Sequence, residues 1–174
     1  MSSMTTLQDL FVHQLRDLYS AEKQLVKALP TMVRRSTSAA LQEAFTAHLE
    51  VTREQVTRLD QIFEQLGVSS RGPKCKAMEG LIVEASELMD EDIEPSVLDA
   101  GLVAAAQRVE HYEIAAYGTV VAYAGLLGEE DAMSLLQTTL DEEKDADASL
   151  TTLAEDGINA MAMHGVETSD ADDE

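Results

Sequence analysis

Val109-Glu-His-Tyr-Glu-Ile-Ala-Ala-Tyr117 sets Glu110, Glu113 and Tyr117 at intervals of three and four residues, along one face of an α-helix. Val103 and Ala106 precede them on that face and Val120 and Ala124 follow. Two carboxylates therefore interrupt an apolar stripe near its middle. Because Glu is almost never fully buried unless paired, whatever this helix packs against has to answer that charge.

Three more helices of similar length carry the same kind of interruption. The helix just described spans residues 95 to about 127, from Pro95 as a first-turn residue to Gly128 as its end. The next begins near residue 129 and runs to about residue 157, with Leu136, Leu140 and Leu150 on its stripe and Glu143 and Asp147 between them. Toward the N-terminus, a helix from about residue 5 to beyond residue 29 aligns Phe11, Leu15, Leu18, Leu25 and Leu29, with Glu22 set between Leu18 and Leu25. Pro30 is expected to kink or end it. Ser36-Thr37-Ser38 supplies turn and N-cap chemistry for a helix that lasts to Leu66 and stops at Gly67. Its stripe of Phe45, Leu49, Val56, Leu59, Phe63 and Leu66 holds His48 three residues after Phe45 and Thr52 one turn later.

Four amphipathic helices of this length each extend about 40 Å at 1.5 Å per residue, enough to cross a whole bundle. The first pair and the last pair are joined by short turns and must be antiparallel neighbours. Residues 67–94 separate the pairs and contain a short helix near residues 75–89, so they can travel the length of the bundle. The expected fold is all-α: an antiparallel four-helix bundle with one long crossover carrying a short extra helix. Residues 1–161 form this single domain, and residues 162–174, polar and ending Ser-Asp-Ala-Asp-Asp-Glu, form an acidic flexible tail.

Composition supports this reading. Of 174 residues, 45% are hydrophobic but only 4% are aromatic and three are proline, leaving Ala, Leu, Val and Met to build helices. No apolar run approaches the roughly 20 residues that span a bilayer, and no signal-peptide pattern opens the chain, so a cytoplasmic protein is expected. The single Cys75 cannot form an internal disulfide and is read as an incidental thiol in a reducing compartment. A net charge of −21, from 33 acidic and 12 basic residues, argues against nucleic acid and anionic membranes as partners.

Taken one at a time, each charged residue on a stripe is better explained as a helix edge. Together, Glu22, Glu110, Glu113, Glu143 and Asp147 place five carboxylates and the His48 imidazole in one layer, and no Lys or Arg shares their stripes. Carboxylates that close cannot all stay ionised without a cation. Two divalent metal ions would neutralise four of them and accept their oxygens as ligands.

Tyr19-Ser-Ala-Glu-Lys-Gln24, Ala47-His-Leu-Glu50, Ala77-Met-Glu-Gly-Leu81, Val109-Glu-His-Tyr-Glu-Ile114, Tyr117-Gly-Thr119 and Glu142-Glu-Lys144 resemble the YciE/YciF family of bacterial stress proteins, within the ferritin-like, rubrerythrin-like superfamily. The resemblance covers nearly all of residues 4–160. It implies a ferritin-like bundle with a dinuclear site, in which two helices each give a Glu and the other two each give Glu-x-x-His. Glu22 and Glu110 match the single-Glu helices, and Glu113 resembles the further carboxylate of rubrerythrin-type sites. Glu50 would lead one Glu-x-x-His, but Arg53 occupies the place of its His; Glu143 leads the other, with Ala146 third and Asp147 fourth. His48 ranks ahead of Glu50 as a ligand because Glu50 lies about 200° round the helix from it. The plain alternative for Glu50 and Arg53 is an exposed surface pair. Tyr117 could hydrogen-bond a ligating carboxylate, or be a core tyrosine with some other acceptor. His111 points about 100° from Glu110 and is read as an interface or supporting residue. His13 and His164 give no signal, and the eight methionines are read as core filler.

The resemblance implies two iron ions, with manganese as the alternative, and a ferroxidase or peroxide-reducing activity in stress response whose substrates are Fe(II) and O2 or H2O2. A second reading is a non-catalytic stress-associated bundle with a degenerate site, in which Arg53 turns inward. A third is an iron-storage protein. A homodimer through an exposed helix face is expected.

The charge excess also bears on solvent: self-repulsion at −21 is tolerable where salt shortens the Debye length from about 10 Å at 0.1 M to about 3 Å at 1 M. A salt-rich cytoplasm and an ordinary acidic cytosolic protein are the two readings. The first requires a melting temperature that climbs by several degrees between dilute and molar KCl; a flat profile by circular dichroism leaves only the second.

Overall fold

The computed structural model describes residues 4–164. Among them there are six α-helices and no strand: α1 Leu7–Arg35, α2 Ala39–Gln65, α3 Lys76–Asp90, α4 Pro95–Leu127, α5 Glu130–Leu153 and α6 Asn159–His164. A π-type turn, Ala154–Ile158, joins the last two. Helices α1, α2, α4 and α5 form an antiparallel four-helix bundle, closed by α1 against α4 and α2 against α5, and α3 lies on α1 and α4 within the crossover.

Local chemistry sets the helix ends. Thr6 Oγ1 accepts from Asp9 N at 3.1 Å while Asp9 Oδ2 accepts from Thr6 N at 3.0 Å, a reciprocal cap that starts α1. Ser38 accepts from Leu41 N at the start of α2. Gly128 ends α4 in the left-handed region, φ 74°, where other L-residues are strained.

Two expectations shift. Of the two outcomes expected at Pro30, a kink or an end, the end does not occur: α1 continues to Arg35, because Leu29 and Met32 on either side of it are buried in the core and offset the lost backbone bond. Helix continues to His164, past the expected domain end at residue 161; residues 165–174 of the expected tail lie outside the described residues.

The crossover is pinned at Cys75. Its N–H donates to Ser20 Oγ at 2.8 Å, Gln24 Nε2 donates to its carbonyl at 3.0 Å, and its thiol lies 3.1 Å from both Asp17 Oδ2 and the Tyr112 hydroxyl. Burial raises the thiol pKa, so the group is held as a neutral donor. Cys75 thus fastens α3 to α1 and α4.

The core is in two parts. One cluster gathers Leu25, Leu29, Phe45, Leu49, Leu102, Val109 and Leu150; the other gathers Phe11, Leu15, Leu18, Leu59, Tyr117, Val120, Leu136 and Leu140. Each of the four long helices passes from one cluster to the other near its middle.

The α1–α2 turn is tied to α4 by the buried Asp99, whose carboxylate accepts from Thr37 N and Ser38 N at 2.8 Å each and from Thr37 Oγ1 at 2.6 Å. Replacing it with alanine strands these donors. Asp99→Ala should lose about 2 to 4 kcal/mol in urea denaturation, with the m-value unchanged.

Candidate metal centre

The layer between the two apolar clusters is polar. Glu22 of α1 stands between Leu18 and Leu25; Glu110 and Glu113 of α4 between Val109 and Tyr117; Glu143 of α5 between Leu140 and Leu150. All four carboxylates are buried. From α2, His48 reaches the same layer, and ligand atoms of His48, Glu110, Glu113 and Glu143 all lie within 4.8 Å of one another. Glu22 adjoins this group through Glu113 and accepts from the Tyr117 hydroxyl.

Burial and mutual repulsion raise every one of these carboxyl pKa values. Desolvation is the largest cause at each, followed by the Glu143 charge at Glu22 and Glu110 and by the Glu22 charge at Glu113. Glu143 rises least, to about 7, because Glu110 and Gln55 hydrogen-bond to it and Arg58 is nearby. Desolvation lowers His48 to about 4, leaving a neutral imidazole at physiological pH. Its Nε2 lies 3.5 Å from Glu110 Oε1, and with the ring uncharged that approach is not an ion pair.

These groups leave hydrogen-bonding capacity unused. Glu22 Oε2, Glu110 Oε2, both oxygens of Glu113, Glu143 Oε2 and His48 Nε2 are buried without a partner. Buried polar atoms are nearly always satisfied, so this many unpaired lone pairs in one layer suit a cation that would accept them. Four carboxyl groups and one neutral imidazole in one layer are oxygen and nitrogen donors of the kind that bind divalent metal ions.

Around the layer, neutral and cationic groups hold the carboxylates in place. Gln55 Nε2 donates to Glu143 Oε1 at 2.5 Å and to Glu142 Oε2 at 3.1 Å. Arg58 grips Glu142 with both terminal nitrogens, at 2.5 and 2.7 Å. Thr52, also buried, turns its hydroxyl back to the His48 carbonyl at 2.8 Å. Tyr117 is fully buried, and burial together with the Glu22 charge raises its pKa, so it remains a donor.

Of the residues singled out in the sequence, Glu22, His48, Glu110, Glu113 and Glu143 come together. Glu50 does not: its side chain is 64% exposed and pairs with Arg53, itself 51% exposed, because both lie on the far side of α2 from His48. Asp147 lies at the edge, half-buried, where Gln107 donates to Oδ1 at 3.1 Å and His111 Nε2 is 3.3 Å from Oδ2. Its charge is felt by Glu110, but its oxygens are already engaged. Gln55, Arg58 and Glu142 were missed. Gln55 follows Thr52 by three residues and His48 by seven, so its phase on the stripe was the available signal.

The metal-free protein should lose stability as pH rises. A carboxyl whose folded-state pKa is raised keeps its proton while the unfolded chain, near 4.5, has lost it; stability is full below about pH 4.5 and drains toward the folded pKa, about 7 for Glu143, with its neighbours raised in the same direction. Unfolding free energies from urea titrations in chelator should therefore fall between pH 5 and 7, by up to about 1.4 kcal/mol per pH unit for each group. Glu143→Gln should flatten that slope.

The chain matches the family described as Domain of unknown function (DUF892) over residues 6–163. It is 48% identical to Protein YciF of Escherichia coli (strain K12) across 161 residues, covering 92% of this chain and 97% of that protein. The crystal structure of the E. coli stress protein YciF superposes with a TM-score of 0.87, covering 90% of this chain and 99% of that one. YcfI of Rhodopseudomonas palustris, 49% identical, gives a TM-score of 0.84 over 86% of this chain and 96% of its own. A dodecameric thioferritin, the bacterioferritin-related protein of Bacteroides fragilis, shares the fold at a TM-score of 0.70 and 15% identity, each chain 93% covered. The chain belongs to the DUF892 family and has a ferritin-like fold.

Proposed function

We propose that this member of the DUF892 family is a dinuclear metalloprotein with ferroxidase or peroxide-reducing activity, holding two iron ions, or two manganese ions, between its four long helices. The observation that carries this reading is the set of buried, unpartnered oxygens on Glu22, Glu110, Glu113 and Glu143, joined by the unpartnered nitrogen of a neutral His48. When bound, a pair of Fe(II) ions supplies two electrons to O2 or H2O2 at a site shielded from bulk water. As a relative of the E. coli stress protein, the chain is placed by this reading in the handling of oxidants under stress.

The protein's own side chains do the rest. Below their raised pKa values the carboxyls keep protons, which they release when cations take their place. His48 needs no deprotonation, so its lone pair is available at neutral pH. Tyr117 fixes Glu22 and Gln55 fixes Glu143, so a carboxylate on each side of the layer is held before any ion arrives. The apolar clusters above and below keep the layer dry, which strengthens every interaction inside it.

The degenerate-bundle reading rested on Arg53 turning inward. Arg53 instead pairs with Glu50 at the surface, which removes that argument. Elemental analysis of protein purified without chelator should give close to two metal ions per chain, and less than one would favour the structural reading. Aerobic Fe(II) titration should develop ultraviolet charge-transfer absorbance that Glu110→Ala abolishes. Equal oxidation rates with and without the protein would reject ferroxidase activity.

A further inference from the structure

The seam between α2 and α5 opens beside the carboxylate layer into a cavity of about 320 Å³, within the size range of small-molecule sites. Leu29, Phe45, Ala106, Val109 and Leu150 give it apolar walls. His48 and Glu110 line it as well, and Glu110 is buried while Asp145 and Ser149 are exposed; the cavity therefore runs from the protein surface to the carboxylate layer. His48 Nε2, buried and unpartnered, lies at that inner end.

We propose that this cavity binds an uncharged aliphatic molecule, one per chain, with its chain along the α2–α5 seam and one end against His48 and Glu110. The inference goes beyond the metal reading, with which it shares only those two residues. Charge decides among the candidate occupants. No Lys or Arg lines the cavity, Glu142 is already paired with Arg58, and the exposed Asp145 carboxylate lines its outer end, so a fatty carboxylate would find no free cation there and would meet the Asp145 charge on entry. Residues 165–174 of the chain carry five acidic residues and no basic one, and a second copy brings a net charge of −21, so both meet the same repulsion. An uncharged chain gains the burial without that cost.

The test uses metal-free, full-length protein in chelator, titrated with octan-1-ol or octanoate and followed by amide chemical shifts. Octan-1-ol should bind saturably at one per chain and shift the Phe45, Val109 and Leu150 signals, with octanoate at least tenfold weaker. Two plugs are compared: Ala106→Phe, which fills the wall, and Ala47→Trp, an exposed lining residue whose larger ring covers the opening. Either should weaken octan-1-ol at least tenfold, and if Ala106→Phe fails to fold, Ala47→Trp alone decides. Octan-1-ol binding unchanged in the folded plug variants, octanoate binding as tightly, or octan-1-ol binding that splits a dimer by light scattering would each overturn the proposal. Mn(II) binding by the same variants is measured separately, so loss of the metal reading is seen as absent Mn(II) binding and leaves the octan-1-ol result intact.

Discussion

Negative charge in a dry layer is the constraint to which the rest of this structure answers. Two unit charges about 4 Å apart repel by about 4 kcal/mol even at an effective dielectric of 20. Four ligand atoms within 4.8 Å of one another, three of them carboxylate oxygens, would at full ionisation consume much of the 5 to 15 kcal/mol that a domain has in total. The chain has two ways to live with this: keep protons on the carboxyls, as their raised pKa values describe, or hold cations. Arginine supplies no third way, because Arg58 is committed to Glu142 and Arg53 to Glu50.

Because the layer is costly, the scaffold around it is built to hold shape. The two apolar clusters lie on either side of it, so all four long helices are packed both above and below the site. Two of the carboxylates are also gripped individually, Glu22 by Tyr117 and Glu143 by Gln55. Farther out, Asp99 ties the α1–α2 turn to α4 and Cys75 ties the crossover to α1, so neither hairpin can slide along the bundle axis without breaking buried hydrogen bonds. Between α2 and α5 the ties are those of Gln55 and Arg58 to Glu142 and Glu143, and beside them the packing opens into a cavity.

The architecture was legible because helical periodicity exposes a charged residue set in an apolar stripe. Glu22, Glu110, Glu113 and Glu143 each broke a stripe in phase, and each is buried. Phase also separated His48 from Glu50, two residues but about 200° apart, and the structure puts them on opposite sides of α2. Asp147 shows where phase fails. It is close enough to the stripe to be a candidate, but partners from α4, Gln107 and His111, hold it at the edge, and partners on another helix cannot be read from a single wheel. Gln55 went unseen for a different reason: an uncharged polar residue in a stripe raises no electrostatic alarm, although its amide, after Glu110, is one of the groups that limit the rise in the Glu143 pKa. Pro30 does not end its helix, since burial of Leu29 and Met32 carries α1 past it.

Energetics also bear on why a purely structural bundle is the weaker reading. Replacing buried charged groups with apolar residues of similar volume is often neutral or stabilising, by about 1 to 4 kcal/mol. A scaffold with no ligand to hold would gain by carrying leucine or methionine at residues 22, 110, 113 and 143, continuing the stripes that already run above and below. This chain carries glutamate at all four, leaves five of their eight oxygens unpartnered, and turns a neutral imidazole to face them. The folded state tolerates that arrangement only through protons it would surrender as pH rises, whereas divalent cations satisfy the same oxygens at neutral pH. The layer is therefore better accounted for as a site kept ready for metal than as part of the scaffold.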